Sequence, residues 1–185
     1  MSRLPYPDVE TLSDATRHTL HSMPVSLNIL RMVSHLDEAC PAMLQLGAKI
    51  LTVQKLSPVL RELVILRVAQ LSDAEYEWVQ HEAFANDVGV TQAQIDALQK
   101  GERTGDCFTE LEALVLAFAD EVVQNVRPSD QVLAALREHL SDREVMEITA
   151  AIGFYMMMAR FMEVSGVDVD APGGLQIVQA LNAKA

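Results

Sequence analysis

The chain has 185 residues, half of them hydrophobic but only 5% aromatic, and a net charge of −12. That length suits one domain able to bury a sizeable core, and an interior poor in aromatic side chains favours packed helices over a β-sandwich. The acidic balance excludes non-specific nucleic-acid binding, which depends on Lys and Arg neutralising phosphates, and disfavours anionic membrane surfaces. Cys40 and Cys107 form neither a Cys-x-x-Cys pair nor a zinc-like spacing, so they read as small thiols in a reducing compartment. The N-terminus, MSRLPYPDVE, lacks the apolar stretch of a signal peptide. The greasiest run, 148–159, is too short to span a bilayer. The expected setting is the cytoplasm.

Residues 1–12, with Pro5 and Pro7, read as an extended arm of a kind that often wraps a neighbouring subunit. Ser13 or Asp14 starts a short helix carrying His18 and His21, which lie three residues apart on a solvated face. Ser26 is placed to cap a helix to about residue 34, with His35 in the loop before a helix over 41–53. Ser57-Pro58 opens a helix to residue 71 that is apolar nearly all round and therefore buried on most sides. Ser72 to Glu75 has the capping-box pattern for the next helix, which Gly89 ends. The same pattern at Thr91, Thr109 and Ser141 opens helices over 91–99, 109–125 and 141–164, and Pro128-Ser129 opens another to about residue 140. After Pro172, Gly173 and Gly174 comes a short amphipathic piece, 175–181. The expected class is all-α: one helical domain of about eight helices over 13–166, with an N-terminal arm and a C-terminal tail over 167–185. The similarity of RELVILRVA at Arg61 to REVMEITAA at Arg143 suggests two related hairpins.

Chemistry concentrates on two neighbouring helices. At about 100° per residue, Glu77 and His81 fall on the apolar face of the 72–88 helix with Ala74, Trp78, Phe84, Ala85 and Val88. Gln80 falls on the opposite, wet side, and Tyr76 points away from His81. Four residues apart, Glu77 and His81 can touch. Glu62 lies within the apolar run of the preceding helix. Folding the two helices against each other brings Glu62, Glu77 and His81 into one partly buried cluster. Burial raises carboxylate pKa values, and a carboxylate beside an imidazole orients and tunes it, so the cluster is suited to moving protons. The alternatives are a satisfied polar core, with Glu62 bonded to an Arg, or a metal site, for which only three ligands are visible. Arg61, Arg67 and Arg160 are the cations best placed to meet these acids or a substrate carboxylate.

The pattern RELVILRVAQLSDAEYEWVQHEAFANDVGVTQAQIDAL resembles the carboxymuconolactone decarboxylase and alkylhydroperoxidase D-like superfamily. The resemblance runs over about 42–166 and is strongest from 56 to 98. It implies an all-helical fold assembling into trimers or hexamers, with the site near a subunit interface. The peroxidase branch has a Cys-x-x-Cys-x-x-x-His motif assisted by an upstream Glu. Here Glu62 and His81 match, but Ala74 and Glu77 stand at the cysteine positions, so the redox dithiol is missing. The decarboxylase branch carries a Glu-x-x-x-His pair, matched by Glu77 and His81. Its second-half His falls near Ala151 here, and its Gly-x-Pro after the residue matching Tyr155 is replaced by Met156 to Met158.

These readings converge on an acid–base enzyme without a cofactor or metal, acting as a decarboxylase, isomerase or lactone-acting enzyme on a small carboxylated or carbonyl substrate. His81, Glu77 and Glu62 are the candidate catalytic residues, with Glu77 orienting His81 and Glu62 as the second acid or base. Arg160, Arg61, Tyr155 and Trp78 are the candidate substrate-binding residues. The alternatives are a peroxiredoxin-like alkylhydroperoxidase activity dependent on Cys40 or Cys107, and a non-catalytic oligomeric binding protein. The expected partners are a small molecule and further copies of the chain, with neither nucleic acid nor membrane.

Overall fold

A computed structural model describes residues 2–183 and shows, among them, ten α-helices, two short 3-10 segments (Val9–Thr11 and Ser34–Ala39) and no strand. The helices are α1 (Asp14–Ser22), α2 (Asn28–Val33), α3 (Cys40–Thr52), α4 (Pro58–Leu71), α5 (Glu75–Val88), α6 (Gln92–Gln99), α7 (Glu110–Asn125), α8 (Asp130–Arg137), α9 (Asp142–Ser165) and α10 (Gly174–Asn182). The expected all-α class holds. Nine of the ten helices lie within 13–166, against about eight expected there, and the tenth is the short piece expected in the tail.

The hub is α4. Every residue from Leu60 to Ala69 is buried, as its all-round apolar sequence requires, and α5, α6, α7 and α9 pack around it. One core gathers α2, α3, α4, α7 and α9 around Val64, Ile65 and Val68. A smaller one joins α4, α5, α6 and α7 around Leu63, Leu66 and Leu98. Arg67 is buried and forms a two-pronged pair with Asp120, Nε to Oδ1 at 2.6 Å and Nη2 to Oδ2 at 2.9 Å. It therefore clamps α4 to α7 and does not reach the acids of the cluster.

Capping boxes form at Thr91, Thr109 and Ser141 as the spacing predicts. The one expected at Ser72 does not. The α4–α5 turn is too tight for it: Asp73 takes a left-handed conformation (φ 50°), Ala74 becomes the cap, and its N–H donates to the Ala69 carbonyl at 2.9 Å. Asp tolerates that region better than most residues. Ser26 likewise does not cap α2, which starts after Leu27 without a side-chain cap.

The N-terminal arm packs on its own chain. The N–H groups of Arg3 and Leu4 donate to the Ser165 carbonyl at the end of α9 (2.7 and 3.1 Å), and the Arg31 guanidinium sits 4.6 Å over the Tyr6 ring. The helix that carries the 148–159 run, α9, has 24 residues and an 18-residue window of mean hydropathy 1.3, long and apolar enough to cross a bilayer by length and composition alone. Half of its apolar window is buried inside the fold, the position of a core helix packed on α4 and α7.

Candidate active site

The tight turn after α4 folds α5 back along it, so α5 presents Tyr76, Glu77, Gln80, His81 and Phe84 to the interior, and all five are buried. The His81 ring is held on three sides. Its Nδ1 lies 2.9 Å from Glu62 Oε2, Phe84 stacks on it at 4.9 Å, and the Tyr155 ring meets it edge-on at 4.6 Å. Glu62 is fully buried. Its other oxygen, Oε1, accepts from Arg61 Nε at 2.9 Å. With Glu62 paired to Arg61, its carboxylate is an acceptor on both oxygens, so Nδ1 of His81 is assigned as the protonated nitrogen. Nε2 makes no hydrogen bond among the described residues.

Beside His81 lies a cavity of about 680 Å³. The wall contributed by α5 and α9 includes Tyr76, Glu77, Gln80, His81 and Tyr155. Leu44 and Leu51 of α3, Met158 and Met162 of α9, and Ile177 and Val178 of α10 line much of the remainder. The close approach of α3 to α9 depends on Gly47, where a Cβ would meet the Phe154 ring at 2.7 Å. Gln80 ties the C-terminal tail across this region. Its Oε1 accepts from the N–H groups of Gly173 and Gly174 (2.9 and 3.1 Å), and its Nε2 donates to the carbonyls of Asp170 and Ala171 (both 3.2 Å). Tyr76 adds a 2.6 Å hydrogen bond to Asp170, and burial together with that bond pushes its hydroxyl pKa far up.

Glu77 is the anomaly. It is fully buried, it borders the cavity, and neither carboxyl oxygen has a hydrogen-bond partner. Burial without compensation pushes its pKa well above the carboxylate range. The Tyr155 hydroxyl is pushed up as well, first by burial and then by the neighbouring charge of Glu62. Glu77 therefore keeps its proton in the folded state over a range in which the unfolded chain releases it. Its contribution to stability is complete below the unfolded pKa of roughly 4.3 and falls as the pH rises toward the raised folded value. Glu77→Gln removes this titration. Its urea midpoint relative to the native protein is expected to move upward as the pH rises above the unfolded carboxylate range of roughly 4; a gap independent of pH would contradict the assignment.

Several expectations change. The partner of His81 is Glu62, not Glu77; Glu77 lies one turn away on the same helix and bonds to neither. Arg61 is the counter-ion of Glu62 and does not border the cavity. Arg160 is exposed on the outer side of α9, where it donates to the Met156 carbonyl, so it pairs with neither Glu62 nor Glu163 and is remote from the cavity. Trp78 is half-buried against the smaller core. Tyr155 lies on the cavity wall. Gln80 and Tyr76, read as outward, are both buried on it because the helix is covered over a wider arc than its apolar stripe. Among the described residues no three His, Cys, Asp or Glu side chains are arranged to hold a metal ion.

Residues 38–121 match the model of the carboxymuconolactone decarboxylase family, and solved structures of peroxidase-related proteins superpose on 91% of the chain. The match covers less than half of the chain, and the superposition shows the fold that the chain shares with these structures. The chain is similar to an uncharacterized peroxidase-related protein with an alkylhydroperoxidase core from Ralstonia eutropha JMP134, with TM-score 0.79 and 19% identity over 91% of this chain and 92% of that one. A peroxidase-related protein from Silicibacter sp. TM1040 gives TM-score 0.75 and 19% identity, over 91% of each chain. An alanine variant of the debrominase Bmp8 in complex with 2,3,4-tribromopyrrole gives TM-score 0.71 and 17% identity, over 99% of this chain and 95% of that one. At these identities the likeness establishes the fold. No curated protein matches the sequence.

Proposed function

We propose that this chain is an acid–base enzyme that works with its own side chains on a small molecule bearing a carbonyl or lactone group. One observation carries the reading: an imidazole fixed by Glu62 at Nδ1 borders a cavity with its other nitrogen unbonded, and the same cavity is bordered by a fully buried carboxyl group with no hydrogen-bond partner. Nε2 of His81 would take a proton from the carbon beside the carbonyl. Glu62 would hold the imidazole in orientation and stabilise the imidazolium that forms, with Arg61 fixing Glu62 in turn. Glu77, as a neutral acid, would donate a hydrogen bond to the carbonyl oxygen as negative charge develops there. Return of the proton at the same or another carbon restores His81, and no oxidant or reductant enters.

The peroxidase-related and debrominase neighbours raise thiol chemistry as the rival. Against it, neither Cys40 nor Cys107 borders the cavity, and burial pushes the Cys40 thiol pKa up, away from the reactive thiolate. A purely structural binding module predicts a closed site at His81, and the cavity there weighs against it.

The test is exchange. The protein in D₂O is mixed with a panel of ketones and lactones, and loss of the proton signal next to the carbonyl is followed by NMR. Exchange above the buffer rate is expected for at least one compound. A panel of which some members bind and none exchanges would refute the acid–base reading.

A further inference from the structure

We infer that the cavity selects an uncharged, largely apolar molecule and rejects carboxylates. The inference rests on the acid–base reading for the position of the carbonyl, and on the cavity wall for everything else. Among the described residues no Lys or Arg lines the cavity. Arg61 is locked to Glu62 behind His81, and Arg160 points to the outside of α9, so neither is available to an anionic ligand. The acids of the wall are Glu77, buried without a partner, and Glu38, exposed in the 3-10 segment before α3. A carboxylate entering this space would lose its water and gain no Lys or Arg in return, which is the costly way to bury charge.

What the wall offers instead is hydrocarbon and thioether. Leu44, Leu51, Met158, Met162 and Ile177 surround the space opposite His81, and methionine adapts to varied apolar shapes. A volume of about 680 Å³ is that of sites enclosing whole small molecules. Glu77 and His81, one turn apart on α5, both border the cavity, so on the acid–base reading a carbonyl head sits by α5 and an apolar body lies along the hydrocarbon wall. This narrows the reaction. Decarboxylation requires a substrate carboxylate and drops out, leaving proton transfer beside a ketone or lactone carbonyl.

The experiment compares three ligands with one carbon skeleton: a medium-chain γ-lactone, the same lactone with a terminal carboxylate, and the same lactone with a terminal ammonium group. Binding to the full chain at neutral pH is measured by isothermal titration calorimetry. The neutral lactone is expected to bind at least tenfold more tightly than either charged analogue. Gln45→Arg, on the α3 side of the cavity wall, is expected to improve carboxylate binding at least fivefold, which locates binding in the cavity. Carboxylate or ammonium binding equal to or tighter than that of the neutral lactone, no binding of the neutral lactone, or indifference of the carboxylate to Gln45→Arg would each overturn the inference. Because binding is read without turnover, tight neutral binding with no proton exchange refutes only the acid–base reading, and exchange of a carboxylated compound refutes only the substrate class.

Discussion

Glu62→Ala is expected to cost about 3–5 kcal/mol of folding stability, the largest loss from any single change at the site. Glu62 is fully buried and carries two charge-assisted contacts, from Arg61 Nε and His81 Nδ1, each at 2.9 Å. Removing it strands the Arg61 guanidinium, itself only 6% exposed, without a counter-ion, and leaves Nδ1 without an acceptor. For a chain of this size that corresponds to a fall on the order of 10 °C in Tm. The Coulombic gain of a buried pair is largely offset by desolvation, so Arg61→Met combined with Glu62→Ala is expected to recover most of the loss. Thermal unfolding of the two single variants and the double variant measures this as a coupling energy. A loss below about 1 kcal/mol for Glu62→Ala would show that the pair is solvated and worth no more than a surface ion pair.

His81→Gln is expected to lower catalysed proton exchange by about 10²- to 10⁴-fold, the range for removal of a positioned general base. Gln keeps a hydrogen bond to Glu62 within reach and keeps much of the side-chain volume between Phe84 and Tyr155, but it has no basic nitrogen to present to the cavity. The fold and the affinity for an uncharged lactone should survive, so the loss falls on the rate and not on binding. Glu62→Gln acts differently, as a change in a positioning residue: the imidazole remains, and the expected signature is a shifted pH–rate profile. Equal exchange by the native protein and His81→Gln would leave the imidazole with a packing role only.

Much of the architecture was legible because its signals are local. The all-round apolar run after Ser57-Pro58 marks α4 as a buried hub, and the boxes at Thr91, Thr109 and Ser141 mark helix starts that form. Glu62 and His81 stood out as polar side chains on apolar helix faces, and the structure joins them. The rest depends on contacts between segments distant in sequence. Nothing near Tyr76 or Gln80 signals that the tail over 168–174 closes on them. Nothing in Arg160 or its methionine neighbours distinguishes the inner face of a long helix from its outer one. The cavity draws on α1, α3, α5, α9 and α10 together, and no single stretch encodes it. Helical spacing suggested Glu77 as the partner of His81. The α4–α5 packing instead supplies Glu62 and leaves Glu77 unbonded, which changes its expected part from orienting group to acid.

That neutral acid is where the proposal is most exposed, and it can be examined without knowing the substrate. The infrared difference spectrum between the native protein and Glu77→Gln at pH 7 isolates the Glu77 carboxyl. The C=O stretch of a protonated carboxylic acid, shifting on transfer to D₂O and absent from the variant, is the predicted result. A difference spectrum carrying only the paired bands of an ionised carboxylate would contradict it, and with it the division of labour between His81 as base and Glu77 as acid.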